Sequence, residues 1–255
     1  EHRKKAGKRF LEVRDVTKSY DGRTLFKNVN FTVMHGEKIA ITGPNGSGKT
    51  TLLNALCDKL KQNHNIFVFN RKVLKIDDTT FFGHRLNLMQ ELLFSCNPED
   101  DLTEIPESTW VYLNVAWYEI ISNKIITPNV NNMICITDSW IYKRISRFSL
   151  LSCFNDYEVE WLYRNVYKAD YTFFINANPE QVWPRREIHS KKDFGFLNND
   201  FNYCTKENFI NYQTKIYNNY IEYVKKYKWI IINPHDSVDI SCRVIIDHIL
   251  NNDVC

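Results

Sequence analysis

One stretch of this chain has the residue types and spacing to hold a polyphosphate. Gly43, Pro44, Asn45, Gly46, Ser47, Gly48, Lys49 and Thr50 satisfy G-x-x-x-x-G-K-[ST] without a mismatch. Glycines let the backbone curl until successive N–H groups face one phosphate, and the helix that follows adds its positive end. Lys49 then reaches the outer phosphates as a point charge, and the Thr50 hydroxyl is a magnesium ligand. Thr51, next on the same turn, completes the binding stretch.

A magnesium ion held this way needs a carboxylate nearby. Asp138 ends the apolar run "MICIT", where a parallel sheet brings an acidic side chain to the same edge as the phosphate loop. An aspartate after a strand also caps a following helix, and both uses stay open. Further cations come from Arg71 and from the pair Arg185 and Arg186, whose planar guanidiniums suit phosphate oxygens. A solvated surface pair is the plainer account of the two arginines.

These residues need a scaffold, and the apolar pattern supplies one. "KIAIT" (38–42) leads into the glycine loop, and a helix is expected from Lys49 to about Gln62. Four more short β-rich runs follow at 65–70, 133–137, 171–177 and 229–233, separated by helix-length segments. Helical spacing marks 84–94, 108–122 and 206–227. Five such runs predict an α/β fold: a P-loop NTPase of three layers with a five-stranded parallel sheet covered on both faces. Residues 10–36 alternate like short strands around an Asp-Gly turn, which predicts an N-terminal antiparallel β wing. The expected division is a basic tail at 1–9, the wing at 10–36, and a core at 37–250 with a lid near 184–200.

Composition narrows the function classes. With 44% apolar and 14% aromatic residues over 255 positions, the chain is a packed globular protein and not a disordered one. It has no apolar run of about 18 residues, so no membrane-spanning helix is expected. A formal charge of +3 is too small to imply a nucleic-acid partner; the one exception, "HRKKAGKR" at 2–9, reads first as a solvated tail, with contact to nucleic acid or to another part of a larger polypeptide as the alternative. Seven cysteines without CxxC spacing fit a reducing, cytoplasmic setting.

Two families resemble different parts of the chain. "LEVRDVTKSYDGRTLFKNVNFTVMHGEKIAITGPNGSGKTTLLNAL" (11–56) resembles the ATP-binding domain of ABC proteins, particularly the soluble ABC-F type. That resemblance implies ATP and Mg²⁺ as cofactors and casts Tyr20 as the residue stacking on adenine. The chain carries no LSGGQ-like signature, and Ser139 follows Asp138 where those ATPases place a glutamate.

Residues 57–250 resemble a thymidylate kinase-type nucleoside monophosphate kinase. The resemblance rests on "NIFVFNR", "TTFFGHRLNLMQELL", "MICITDSW" and "ADYTFFINANPEQVWPRRE". It implies Arg71 at the phosphate of a nucleotide-like acceptor, Trp117 near the acceptor base, and Arg185 and Arg186 in a lid over the migrating phosphoryl group. Lys49 and Asp138 would complete the catalytic set. Ser139, Asn45 and Trp117 each depart from that family's pattern. The preferred expectation is therefore an ATP-dependent kinase acting on a small acceptor. An ABC-type ATPase module and a non-catalytic ATP-binding switch are the alternatives. Residues 111–120 would serve either to pair two copies or as a core helix.

Overall fold

The structure, a computed structural model, describes residues 9–20, 23–34 and 36–251, apart from 63, 72, 73, 75, 96, 98, 99, 131, 132, 186–188, 196 and 198–200. Residues 9–34 are described by their backbone alone. They form two long strands, β1 (Arg9–Tyr20) and β2 (Arg23–Met34), paired antiparallel in a two-stranded ribbon of their own. The Asp-Gly turn between them lies outside the described residues.

The phosphate loop emerges from β3 (Lys38–Thr42), whose five residues are all buried. A continuous apolar strand of this kind is stable only when covered on both faces. Helix α1 (Lys49–Leu60) leaves the loop, and Leu52, Leu53, Leu56 and Leu60 give it one apolar side. After β4 (Ile66–Phe69) come α2 (Phe81–Phe94) and α3 (Glu107–Ile121). A π turn at Ser122–Ile126 carries α3 into a short α4 (Thr127–Val130). Strand β5 (Ile134–Asp138) is followed by α5 (Tyr142–Phe148) and α6 (Asp156–Leu162). Strand β6 (Tyr171–Ile175) leads to α7 (Pro179–Val182), the long α8 (Lys206–Tyr227), β7 (Ile230–Ile232) and α9 (Val238–Asn251).

The five strands run parallel in the order β4-β5-β3-β6-β7. Alternation along each strand sorts the core into two layers. Ile39, Ile41, Ile134, Ile136, Phe173 and Ile175 meet α1 and α9 on one face. Ala40, Cys135, Phe69 and Phe174 meet α2, α3, α5 and α8 on the other. The α/β three-layer expectation is therefore correct, and the run at 206–227 is α8 with the expected ends.

Packing decides the role of α3. Trp110, Val111, Trp117, Tyr118 and Ile121 are buried, and Trp117 lies against Phe94, Tyr118 and Phe69 with ring centroids 5.0, 4.9 and 6.3 Å away. The side of 111–120 that carries Val111, Trp117 and Tyr118 is core, while Tyr112 is exposed. Among the described residues, no helix is long and apolar enough to cross a membrane.

Candidate functional site

Parallel strands put their C-terminal ends at one edge, and three of those ends build the site. From β3 comes the glycine loop. Gly43 adopts φ +147°, and a Cβ there would stand 2.9 Å from the Ile175 carbonyl oxygen and 3.1 Å from Ser47 Oγ, so only glycine fits. Gly48, at φ +94°, makes the left-handed turn into α1. Lys49 is buried, and its ammonium donates to the carbonyls of Gly43 (2.9 Å) and Pro44 (2.7 Å), which holds it inside the curl. Ser47 is also buried, and its Oγ has no hydrogen-bond partner, a donor the loop keeps for an oxygen ligand. Pro44 is buried, Asn45 and Gly46 are half-buried, and Thr50 and Thr51 are exposed on the first turn of α1.

From β5 comes Asp138. The Thr50 hydroxyl donates to Asp138 Oδ2 at 3.1 Å, although the two residues are 88 positions apart. Ser139 Oγ donates to Asp138 Oδ1 at 2.7 Å. One hydroxyl and one carboxylate oxygen therefore meet at a single point beside the phosphate loop. That donor set fits Mg²⁺, which is held by one or two protein oxygens together with phosphates and water. No group of three or more His, Cys, Asp or Glu side chains suited to a metal occurs among the described residues.

The fold is that of a P-loop NTPase. Its loop, lysine, threonine and strand-end aspartate lie together at the C-terminal edge of the sheet.

Beyond Asp138 the backbone turns abruptly. Ser139 (φ 64°) and Trp140 (φ 35°) are both left-handed, a costly conformation for side-chain-bearing residues. Packing holds the turn: Trp140 Nε1 donates to the Tyr167 carbonyl at 2.6 Å, and its ring meets Tyr118 and Phe69 edge-on at 5.2 and 5.4 Å. The turn delivers α5, with Lys143, Arg144 and Arg147, to the phosphate edge.

Arg71, after β4, shares a cavity of about 90 Å³ with Asp138, Ser139, Lys143 and Arg144. Its guanidinium lies over the Phe94 ring at 3.9 Å, and burial together with Arg144 holds its pKa below the usual arginine value. Trp117 is not brought to this cavity; it is fully buried in the core. Arg185 sits exposed on a short 3-10 turn, Trp183–Arg185. Arg186 and the side chain of Tyr20 lie outside the described residues. A larger cavity of about 360 Å³, lined by Tyr142, Tyr163, Tyr223 and Trp229, opens at the opposite edge, where β6 and β7 begin, away from the phosphate chemistry.

Sequence reasoning missed Asp193. It is buried on the 3-10 turn Lys191–Asp193, and its carboxylate accepts from Asn45 Nδ2 (3.0 Å), from Ser190 N–H and Oγ (3.0 Å each), and pairs with Arg147 at 3.5 Å. The Asp193 carbonyl accepts from Gln213 Nε2 on α8 at 2.6 Å. One carboxylate thus ties the phosphate loop to α5 and to the segment after α7. Its sequence signal was a capping box, Ser190-x-x-Asp193.

Comparison with known proteins places the ATP-binding segment. The ABC transporter family model matches residues 26–150. The ribosome protection protein VmlR of Bacillus subtilis is 73% identical over 52 residues, 20% of this chain and 10% of that protein. The spermidine/putrescine import ATP-binding protein PotA of Mycoplasma capricolum is 44% identical over 64 residues, 25% of this chain and 18% of PotA. The cytochrome c biogenesis ATP-binding export protein CcmA of Aliivibrio fischeri is 36% identical over 96 residues, 32% of this chain and 43% of CcmA. The chain thus spans less than half the length of each of these relatives.

These findings overturn the kinase expectation. The ABC transporter match runs to residue 150, far beyond residue 57 where the kinase-like part was expected to begin, and takes in Arg71, Trp117 and Asp138. The four segments that carried that resemblance are strand and helix runs with arginines or an aspartate, features general to parallel sheets that bind polyphosphates. None identifies an acceptor. The core position of Trp117 and the exposed position of Arg185 leave both away from the Asp138 cavity.

Proposed function

We propose that this chain is an ABC-related, magnesium-dependent ATP-binding module that hydrolyses ATP to ADP and phosphate, with water and not a small molecule as the acceptor, and does so slowly. The observation that carries the reading is the Thr50–Asp138 hydrogen bond of 3.1 Å beside the phosphate loop, within the segment matched by the ABC transporter model. Lys49 and the loop N–H groups would hold the β- and γ-phosphates. Thr50 and Asp138 would hold Mg²⁺, which supplies charge neutralisation on the phosphate oxygens when bound. Tyr20, at the end of β1, would stack on adenine, as the ABC resemblance implies.

Slowness follows from Ser139. Where ABC ATPases carry a glutamate to polarise water, this chain has a hydroxyl already donated to Asp138. A missing general base costs about 10²–10⁴ in rate. Bound ATP would therefore persist, which suits a module whose occupancy is read by a larger assembly. The described cysteines are free thiols, which supports a cytoplasmic setting.

The test is phosphate release from Mg-ATP with no acceptor present, for the parent protein and for Lys49→Ala. Slow release that depends on Mg²⁺ and disappears in the variant is expected. Release equal in both proteins, or phosphoryl transfer seen only after a second substrate is added, would refute the proposal.

A further inference from the structure

Among the described residues, the phosphate edge carries more positive charge than its own carboxylates balance. Lys49 from the loop, Arg71 after β4, and Lys143, Arg144 and Arg147 from α5 surround a site whose buried or half-buried acids are Asp138 and Asp193. Three of these cations have defined tasks. Lys49 is bound to the loop carbonyls. Arg147, only 6% exposed, faces Asp193, and the Arg71 guanidinium lies on Phe94. The guanidinium of Arg144 lies 5.0 Å over the same Phe94 ring.

Lys143 differs from these. It stands in the field of Arg147, Lys49 and Arg144, with Asp193 as the carboxylate opposing them. Burial and the three cations hold its ammonium well below the ordinary lysine range. A lysine so placed is unfavourable until an anion enters, and then every neighbouring cation contributes to holding that anion. Its position says which anion. Lys143 lines the small cavity with Asp138, the carboxylate that marks the metal, and it is coupled to Lys49, which reaches the outer phosphates. The Lys143 N–H reaches the Ser139 carbonyl at 3.5 Å, so the left-handed turn after β5 fixes where the side chain starts.

We propose that Lys143 binds the terminal phosphate of ATP from the α5 side, facing Lys49 across it, so that the chain itself supplies a cation over the γ-phosphate. The proposal rests on the ATP-binding reading above and deepens it. It gives a chain without an LSGGQ-like signature its own means of distinguishing ATP from ADP. Asp193 acts with it by fixing Arg147 and Asn45, which keeps α5 and the loop at a set separation.

Equilibrium titration of Mg-ATP and Mg-ADP into the parent, Lys143→Met, Lys143→Arg and Lys49→Ala tests this. Lys143→Met should weaken ATP binding about tenfold or more, the effect of one charge-assisted contact, and leave ADP binding within about threefold. Lys143→Arg should recover most of the loss. Methionine removes the crowded charge but keeps the stem, so folding, followed by thermal melting, should hold. Equal effects on ATP and ADP, or no effect on either, overturn the role of Lys143 while leaving the ATP-binding reading in place. If Lys49→Ala binds both nucleotides like the parent, that underlying reading fails, and the proposal with it.

Discussion

Asp193→Ala should be among the more damaging substitutions in the chain that touch no apolar core residue. The carboxylate is buried and serves Asn45, Ser190 and Arg147 together. Removing it leaves the Arg147 guanidinium, 6% exposed, without its counter-charge. Breaking one side of a buried ion pair costs about 3–5 kcal/mol. That is about a fifth or more of the roughly 5–15 kcal/mol that holds a typical domain. At roughly 2–4 °C per kcal/mol for a chain near this size, the melting midpoint should fall by about 6–20 °C.

The double variant Arg147→Met/Asp193→Ala separates this account from simple loss of packing. Replacing both charges removes the stranded cation, so the double variant should be more stable than Asp193→Ala alone. Urea unfolding of the parent, both single variants and the double variant gives the coupling energy. A cost for Asp193→Ala below about 0.5 kcal/mol, the range of ordinary surface substitutions, would refute the reasoning, as would strict additivity of the two single changes.

Three further outcomes follow from the same geometry. Gly43→Ala places a Cβ 2.9 Å from a backbone oxygen at φ +147°, so it should abolish nucleotide binding in titration and cost about 1–3 kcal/mol in unfolding. Trp117→Ala should lower stability by about 3–5 kcal/mol, seen in urea unfolding, while the folded fraction keeps its ATP affinity, because the indole is core and not site. Burial pushes the thiol of Cys57 up to about 11 and that of Cys135 up to about 12. At pH 8 an aromatic disulfide reagent should therefore label exposed Cys153 well before Cys57 and Cys135, which it should reach only on unfolding, as peptide mapping would show.

The sheet was legible because its signal is local. Each strand is a short β-rich run, and a fully buried parallel strand needs apolar residues at successive positions, as β3 shows. The phosphate loop was legible because its glycines answer to backbone geometry, which one sequence suffices to state. Asp138 could be placed because strand ends share an edge. The rest of the site depends on contacts between distant residues. Asn45 and Asp193 lie 148 positions apart, and no spacing rule links them. Lys143 carries no motif of its own, and only the turn at Ser139 and Trp140 brings α5 back beside the loop. Trp117 misled in the opposite direction, since an aromatic on an apolar helix reads equally as core or as a base-stacking surface until neighbours are known. The kinase expectation failed for a related reason: strand order and arginine supply describe how phosphate is held, not where it is sent.

The most direct measurement is calorimetric titration of ATP, with and without Mg²⁺, into the parent protein and into Asp138→Asn. If Thr50 and Asp138 hold the metal beside the phosphate loop, the parent should bind ATP at least tenfold more tightly with Mg²⁺ than without it, and the variant should lose that difference. An Mg²⁺ effect of the same size in both proteins would contradict the account.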